Sequence, residues 1–333
     1  MNPIGRTTSV DGGRLALPAI VVHGGAGNFE RVSSEADSGG ILEGLDTALA
    51  AGWSVLAGGG SALEAVVATV ASLEDGGRFN AGRGAVPTSA GTVEFDAGVM
   101  DGTTGKVGAV CAATWPANPV RLAAKVAEVG GPPDGPVLLA GVGADAFAER
   151  YGLDRMTAAM LARATGETED TARGRGADGV PGPAGEAGTA DSGTFSEAGT
   201  VGAVAVDAAG TVAAATSTGG RAGQLPGRVG DSPIPGAGVW ADSSTAAVSA
   251  TGAGEAFVVA GFGHRIHWEM QSGREVGAAL RAALDAVASL GGDGGGIAVT
   301  PDGSFAVGFN SRAMARGWRD STGQVTRVFP TKA

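Results

Sequence analysis

Cysteine is almost absent. Cys111 is the only one in 333 residues, which excludes an intrachain disulfide and any cysteine-rich zinc site. Basic residues are scarce as well: 23 Lys and Arg face 34 Asp and Glu, for a net charge of -11. That balance argues against a nucleic-acid partner, and an anionic ligand would need locally placed arginines. No apolar run is long enough to span a membrane, and the N-terminal stretch has no extended apolar core of the kind a signal peptide carries. A cytoplasmic location is the expectation. Several catalytic signatures are missing too. No G-x-S-x-G occurs, and GTTGK at 102–106 is followed by Val107, so the hydroxyl that would hold magnesium in a phosphate-binding loop is lacking.

Glycine is abundant, at 61 residues, but has no triplet period, so the chain is globular with many tight turns rather than collagen-like. AIVVH at 19–23 reads as a buried strand running into a glycine turn. Leu42, Leu45, Leu49, Trp53 and Leu56 share helical spacing. A second helix opens at a capping box, Ser61 to Glu64, with Leu63, Val66, Val67 and Val70 on one face. Strands are expected near 92–99, 107–114 and 136–140, a helix at 118–129, and helical pieces to 164. GVGADA at 141–146 imitates a dinucleotide fingerprint, but in so glycine-rich a chain, and without a suitable downstream acid, it carries little weight.

From 165 to 198 the pattern stops. Val180 and Phe195 are the only large apolar residues there, too few to offset the entropy of ordering, so the segment is expected to be a disordered linker. Beyond it, 200–207 and 211–218 read as a hairpin, 238–241 and 245–250 as strands, 253–270 and 274–290 as helices, and GGIAVTPDGSFAVGFN (295–310) as a second hairpin about a PDG turn. Mixed alternation of this kind indicates α/β or α+β.

Candidate chemistry gathers in the second half. His264, His267 and Glu269 stand at helical spacing but lack a further metal ligand, which favours packing or surface roles. Thr200 sits where the linker becomes a strand. A threonine freed at a chain start supplies a nucleophilic hydroxyl and an α-amine base with pKa of roughly 7.7–8.0. Arg228 and Asp231, in a Gly/Pro-rich loop, suit an amino acid's α-carboxylate and α-ammonium. Spacing alone favours the simpler reading that they pair with each other. Thr251 and Gly252, where a strand meets a helix, are suitable oxyanion donors.

GTVGAVAVD (199–207), ATSTGG (215–220), LPGRVGDSPIPGAG (225–238) and ATGAGEAF (250–257) closely resemble the β subunit of the isoaspartyl peptidases and plant-type L-asparaginases, N-terminal nucleophile hydrolases of the threonine type. IVVHGGAG (20–27), LED (73–75), FNAGRGAV (79–86) and FDAGVMDG (95–102) resemble the α subunit, and GFNSRAMARG (308–317) the C-terminal segment. The resemblance implies an α+β fold, a four-layer αββα sandwich. It also implies self-cleavage between Gly199 and Thr200, giving an α chain (1–199, ordered about 17–164) and a β chain (200–333) in one globular domain.

By the same resemblance Thr200 is the nucleophile, Thr218 orients it, Asn80 supports it, and Thr251 and Gly252 form the oxyanion hole. Arg228 and Asp231 then hold the substrate, a β-aspartyl dipeptide or L-asparagine. His23 lines the floor near the cut, although its simplest reading is a structural turn. No cofactor is implied beyond a structural sodium on main-chain oxygens of Leu73, Glu74, Gly76, Phe79, Ala81 and Arg83, in a loop where Gly76, Gly77 and Arg78 replace a proline and an apolar residue common in the family. Arg221 takes a place often apolar in the family, near the leaving-group side. The implied assembly is a dimer of αβ units. The alternatives are a glycosylasparaginase-type amidase and a non-catalytic amino-acid-binding protein.

Overall fold

A computed structural model describes residues 8–29, 34, 38–157, 159–161 and 199–330; the expected linker at 165–198 lies outside them. Among the described residues the strands form two mixed-order sheets. The larger runs β13(Gly323–Arg327), β12(Ala313–Asp320), β2(Ala19–Gly27), β6(Val201–Val206), β7(Val212–Thr218), β3(Phe95–Asp101), β4(Val107–Ala113) and β5(Leu138–Ala140). The smaller runs β1(Ser9–Arg14), β11(Ser304–Phe309), β10(Gly294–Val299), β9(Ala247–Gly252) and β8(Val239–Ala241).

Alternation along the strands sorts the apolar residues into separate cores. Ile20 and Val22 of β2, with Ala203 and Ala205 of β6, face α1(Gly39–Ala57), α2(Ala62–Gly76) and α3(Pro119–Val129) through Leu45, Leu49, Val66, Val70 and Leu122. Val21, Val204, Val206 and Val212 point the other way, onto Val239, Ile297, Val299 and Val307 of the smaller sheet. That sheet's outer face, Val248, Ala250 and Ala298, packs on Phe257, Phe262, Leu280 and Leu284. These come from α5(Gly254–Ala260), α6(Phe262–Gln271) and α7(Val276–Ser289). Both faces of β6 are therefore buried, and its sequence is a continuous run of small and β-branched residues.

The capping box is formed in full, Ser61 Oγ accepting from Glu64 N–H while Glu64 accepts from Ser61 N–H. Three features differ from the sequence-based expectation. The helix expected over 253–270 is broken at Gly261, whose φ of 57° lies in the left-handed region and ends α5. Residues 9–14, ahead of the expected ordered start at about 17, form a strand, because β1 pairs with β11 along its whole length. β12 and β13 escape sequence reading because arginines and glycines interrupt their alternation. GVGADA does open α4(Gly141–Arg150) directly after β5, but there Asp145 accepts from the N–H groups of Thr114 and Trp115, a structural use. Among the described residues no helix is long and apolar enough to cross a membrane.

Arg316 of β12 is fully buried. It donates to the carbonyls of Met314, Val328 and Phe329 and to Asp11 of β1, fastening the edge of one sheet to the other. Removing it takes a buried cation away from the Asp11 carboxylate and from three carbonyls, so Arg316→Ala should cost about 3 kcal/mol or more. Arg316→Lys should recover only part, since an ammonium cannot reproduce the fork. Thermal melting of the two variants checks this.

Candidate active site

The site grows from the register of one hairpin. Val201 pairs with Ser217 in the β6–β7 ladder, so Thr200 and Thr218 fall opposite each other at its open end. Thr200 Oγ1 donates to Thr218 Oγ1 at 3.1 Å. Thr218 Oγ1 also accepts from Gly220 N–H, 3.0 Å. Asn80 does not act on Thr200 directly. Its side chain donates to Gly220 O at 2.7 Å and its carbonyl accepts from Gly219 N–H, so it fixes the turn that carries Thr218.

On the other side of β6, His23 of β2 is fully buried. Its Nδ1 lies 3.1 Å from Thr200 O and its Nε2 lies 2.8 Å from Ser249 Oγ. A carbonyl only accepts, so Nδ1 carries the proton and Ser249 donates to Nε2. Burial drives the imidazole down to about 3, against the weaker opposing effect of the Thr200 carbonyl, and it is neutral at pH 7. More than a turn residue, His23 anchors the Thr200 carbonyl. Gly202 makes room for it: a Cβ there would lie 2.0 Å from Ser249 Oγ and 2.4 Å from His23 Nε2.

The glycines after His23, expected to form a turn, continue β2 as far as Gly27 and press on the Gly199–Thr200 peptide. At Gly25, φ is 105° and a Cβ would stand 2.2 Å from Gly199 N, so only glycine admits this approach. Thr251, buried on β9, places Oγ1 3.6 Å from where a side chain at Gly199 would begin. Gly252 follows with φ of 144°, against Gly294.

Arg228 and Asp231 converge on Gly254: its absent Cβ would be 3.0 Å from Asp231 Oδ1 and 3.1 Å from Arg228 Nη2. They are not each other's ion pair. Among the described residues Arg228 pairs with Glu255, donating Nε to Oε1 at 2.8 Å, with Nη2 at the same distance. Asp231 is buried, and among the described residues its Oδ2 has no hydrogen-bond partner. Burial pushes its carboxyl up to about 7, opposed by its own N–H and by the Arg228 charge. An unpaired buried carboxylate oxygen beside a cation, at a site open at Gly254, suits a ligand bearing both charges.

Sequence reasoning missed the supporting role of Asp96 and the side-chain role of Glu74, a residue it named only for its main-chain oxygen. Asp96, pushed up to about 6 by burial, accepts from Gly230 N–H at 3.3 Å and from Ala112 N–H, holding the loop between Arg228 and Asp231. Glu74, raised to about 7 by burial, accepts from Ser217 Oγ and Val120 N–H. Glu255 and Asp96 each stood inside a motif named above, but only pairing across the fold reveals their partners.

Leu73, Glu74 and Gly76 close the last turn of α2, where carbonyls lack intrahelical donors, and Gly77 ends it with φ of 63°. Phe79 O accepts from Ala81 N–H, and Ala81 O from Gly84 N–H. Arg83, also expected in this set, lies in a single 3-10 turn, Gly82–Gly84. These are hard oxygen donors, a chemistry that fits an alkali cation. Among the described residues no cluster of three or more His, Cys, Asp or Glu could hold a metal. His264 and His267 pack on Trp240, and His267 Nδ1 meets Thr245 Oγ1 at 2.9 Å.

The asparaginase family matches residues 16–328. The chain is 40% identical over 304 residues to the plant-type L-asparaginase of Pyrobaculum calidifontis, covering 91% of this chain and 97% of that protein. It is 40% identical over 311 residues to the isoaspartyl peptidase of Escherichia coli, covering 91% and 93%. To the isoaspartyl peptidase/L-asparaginase of Danio rerio it is 38% identical over 307 residues, covering 90% and 91%.

His23 yields a test with a defined sign. Its folded pKa lies below the free value of 6.5, so the unfolded chain binds more protons between those limits and stability falls as pH drops from 6.5 toward about 3. His23→Asn keeps an N–H donor but does not titrate. Between pH 6.5 and 4.5, urea unfolding should show the wild type losing about 2 kcal/mol more than this variant.

Proposed function

The chain belongs to the asparaginase family, and from that premise we propose an isoaspartyl peptidase and L-asparaginase that cuts itself between Gly199 and Thr200. Thr200 then serves as its nucleophile. The observation that carries this reading is the Thr200–Thr218 hydroxyl pair at 3.1 Å, at the head of a buried strand and beside Thr251. The order of the cores, helices on sheet, sheet on sheet, sheet on helices, supports the four-layer αββα sandwich.

In the uncut chain, Thr200 Oγ attacks the Gly199 carbonyl, nitrogen leaves as the new α-amine, and water cleaves the ester. Close packing of Gly25 on Gly199 holds that peptide still. In the cut enzyme the α-amine accepts the Thr200 hydroxyl proton as Oγ attacks the side-chain carbonyl of a β-aspartyl group. Thr251 Oγ–H and Gly252 N–H receive the developing oxyanion. The proton passes to the departing amine, and water then releases aspartate from the ester. Arg228 takes the substrate's α-carboxylate on the guanidinium edge that Glu255 leaves open, while Asp231 takes the α-ammonium.

A sodium ion on the main-chain oxygens of Leu73, Glu74, Gly76, Phe79, Ala81 and Arg83 would brace the end of α2, which bears Glu74 and through it Ser217 beside Thr218. A dimer of αβ units and a cytoplasmic location belong to the same proposal, resting on the resemblance.

Intact-mass measurement should find two fragments meeting between 199 and 200. Thr200→Ala should give one uncut chain with no turnover; an uncut yet active wild type would sink the proposal. A second outcome concerns pH. Below about 7 the ligand-free Asp231 carboxyl takes up a proton and loses its attraction for an ammonium. The Kd for L-aspartate, measured by calorimetry on cut enzyme, should therefore rise as pH falls from 8 to 6. In Asp231→Asn it should be high and nearly flat.

A further inference from the structure

Beside the clamp lies a cleft of about 430 Å³ between α5 and the turn after α7, lined by Arg221, Ala253, Glu255, Val259, Leu290 and the Gly291–Gly292 main chain among others. Two of its walls mark the site's edges. Ala253 follows Gly252, and Arg221 is the third residue past Thr218, so the cleft opens where β7 and β9 both leave the site.

Its surface is of two kinds. Val259 and Leu290 are 73% and 50% exposed, apolar groups from separate elements turned to one hollow. Arg221 is a cation with unspent charge. Its side chain is 67% exposed, and among the described residues its ion-pair contact is with Glu255 Oε2 at 3.7 Å, beyond hydrogen-bond reach. Glu255 is meanwhile committed to Arg228, which engages Oε1 through both Nε and Nη2 at 2.8 Å. Arg221 thus keeps donors and charge for an anion, and the nearby apolar walls favour a ligand with a carboxylate next to an aliphatic or aromatic side chain.

An amino-acid residue joined through its nitrogen to a β-aspartyl group has that shape. We propose that this cleft is the leaving-group subsite, in which Arg221 binds the free α-carboxylate of the second residue of a β-aspartyl dipeptide and Val259 and Leu290 contact its apolar side chain. The assignment rests on the isoaspartyl peptidase reading. It makes Arg221 a specificity residue, since L-asparagine releases only ammonia and has nothing to place there.

The test uses cut wild-type enzyme with β-aspartyl-leucine, its C-terminal amide and L-asparagine. The acid and amide differ in one charge, and their kcat/KM ratio within one preparation cancels differences in folding or active fraction. We expect wild type to prefer the acid by about tenfold or more, as for one charge-assisted hydrogen bond. The preference should shrink with added salt. In Arg221→Ala the ratio should fall to within about twofold of one, and Arg221→Glu should reverse it. A wild-type ratio near one, or a ratio unmoved in Arg221→Ala, overturns the subsite. If L-asparagine is hydrolysed and neither dipeptide is, the subsite falls while the amidohydrolase stands. If none of the three is hydrolysed by cut enzyme, the parent reading fails and takes the subsite with it.

Discussion

The β6–β7 hairpin is wedged between β2 and β3, strands that precede it in sequence by about a hundred residues or more. Every distance in the site follows from that insertion. Antiparallel register puts Thr200 opposite Thr218, β2 carries His23 alongside Gly202, and β3 sets Asp96 beside Thr218. Because the ladders on both sides of the hairpin are continuous and both its faces are buried, a break just before β6 removes one covalent bond but no strand pairing. Segments on either side of Gly199 therefore share one sheet and one core, and a cut there need not separate them.

That placement has an electrostatic cost. Asp96, Asp231 and Glu74 are carboxyls that burial holds well above their usual range, and His23 is an imidazole held well below its own. Asp96 and Glu74 recover part of the cost through backbone N–H and hydroxyl donors, and His23 through Thr200 and Ser249. Among the described residues Glu74 and Asp231 each keep a buried oxygen with no hydrogen-bond partner, that of Asp231 in the recess where the Arg228 charge also points.

Much of the fold could be read from local pattern. The helices at 39–57 and 62–76 follow from leucine and valine spacing and from a capping box, and the hairpins about Gly210 and the PDG turn follow from alternation interrupted by turn residues. What escaped has physical causes. β12 carries an arginine whose burial depends on carbonyls from elsewhere and on Asp11, and β1 becomes a strand only because β11 offers it an edge. Gly261 breaks a helix by adopting φ of 57°, a choice that no periodicity records.

For the candidate site, the sequence alone determined which reactive groups are present. Hydroxyls at 200, 218 and 251, the Arg228 and Asp231 charges, and the glycines that let main chain approach main chain are properties of side chains in specific motifs. Tertiary structure decided which of these meet. Arg228 is drawn to Glu255 and not to Asp231, Asn80 serves Thr218 rather than Thr200, and His23 closes on the Thr200 carbonyl. Those pairings join residues up to 177 positions apart. Burial and directional hydrogen bonding select them only once the sheets have packed, so no short stretch of chain contains the information.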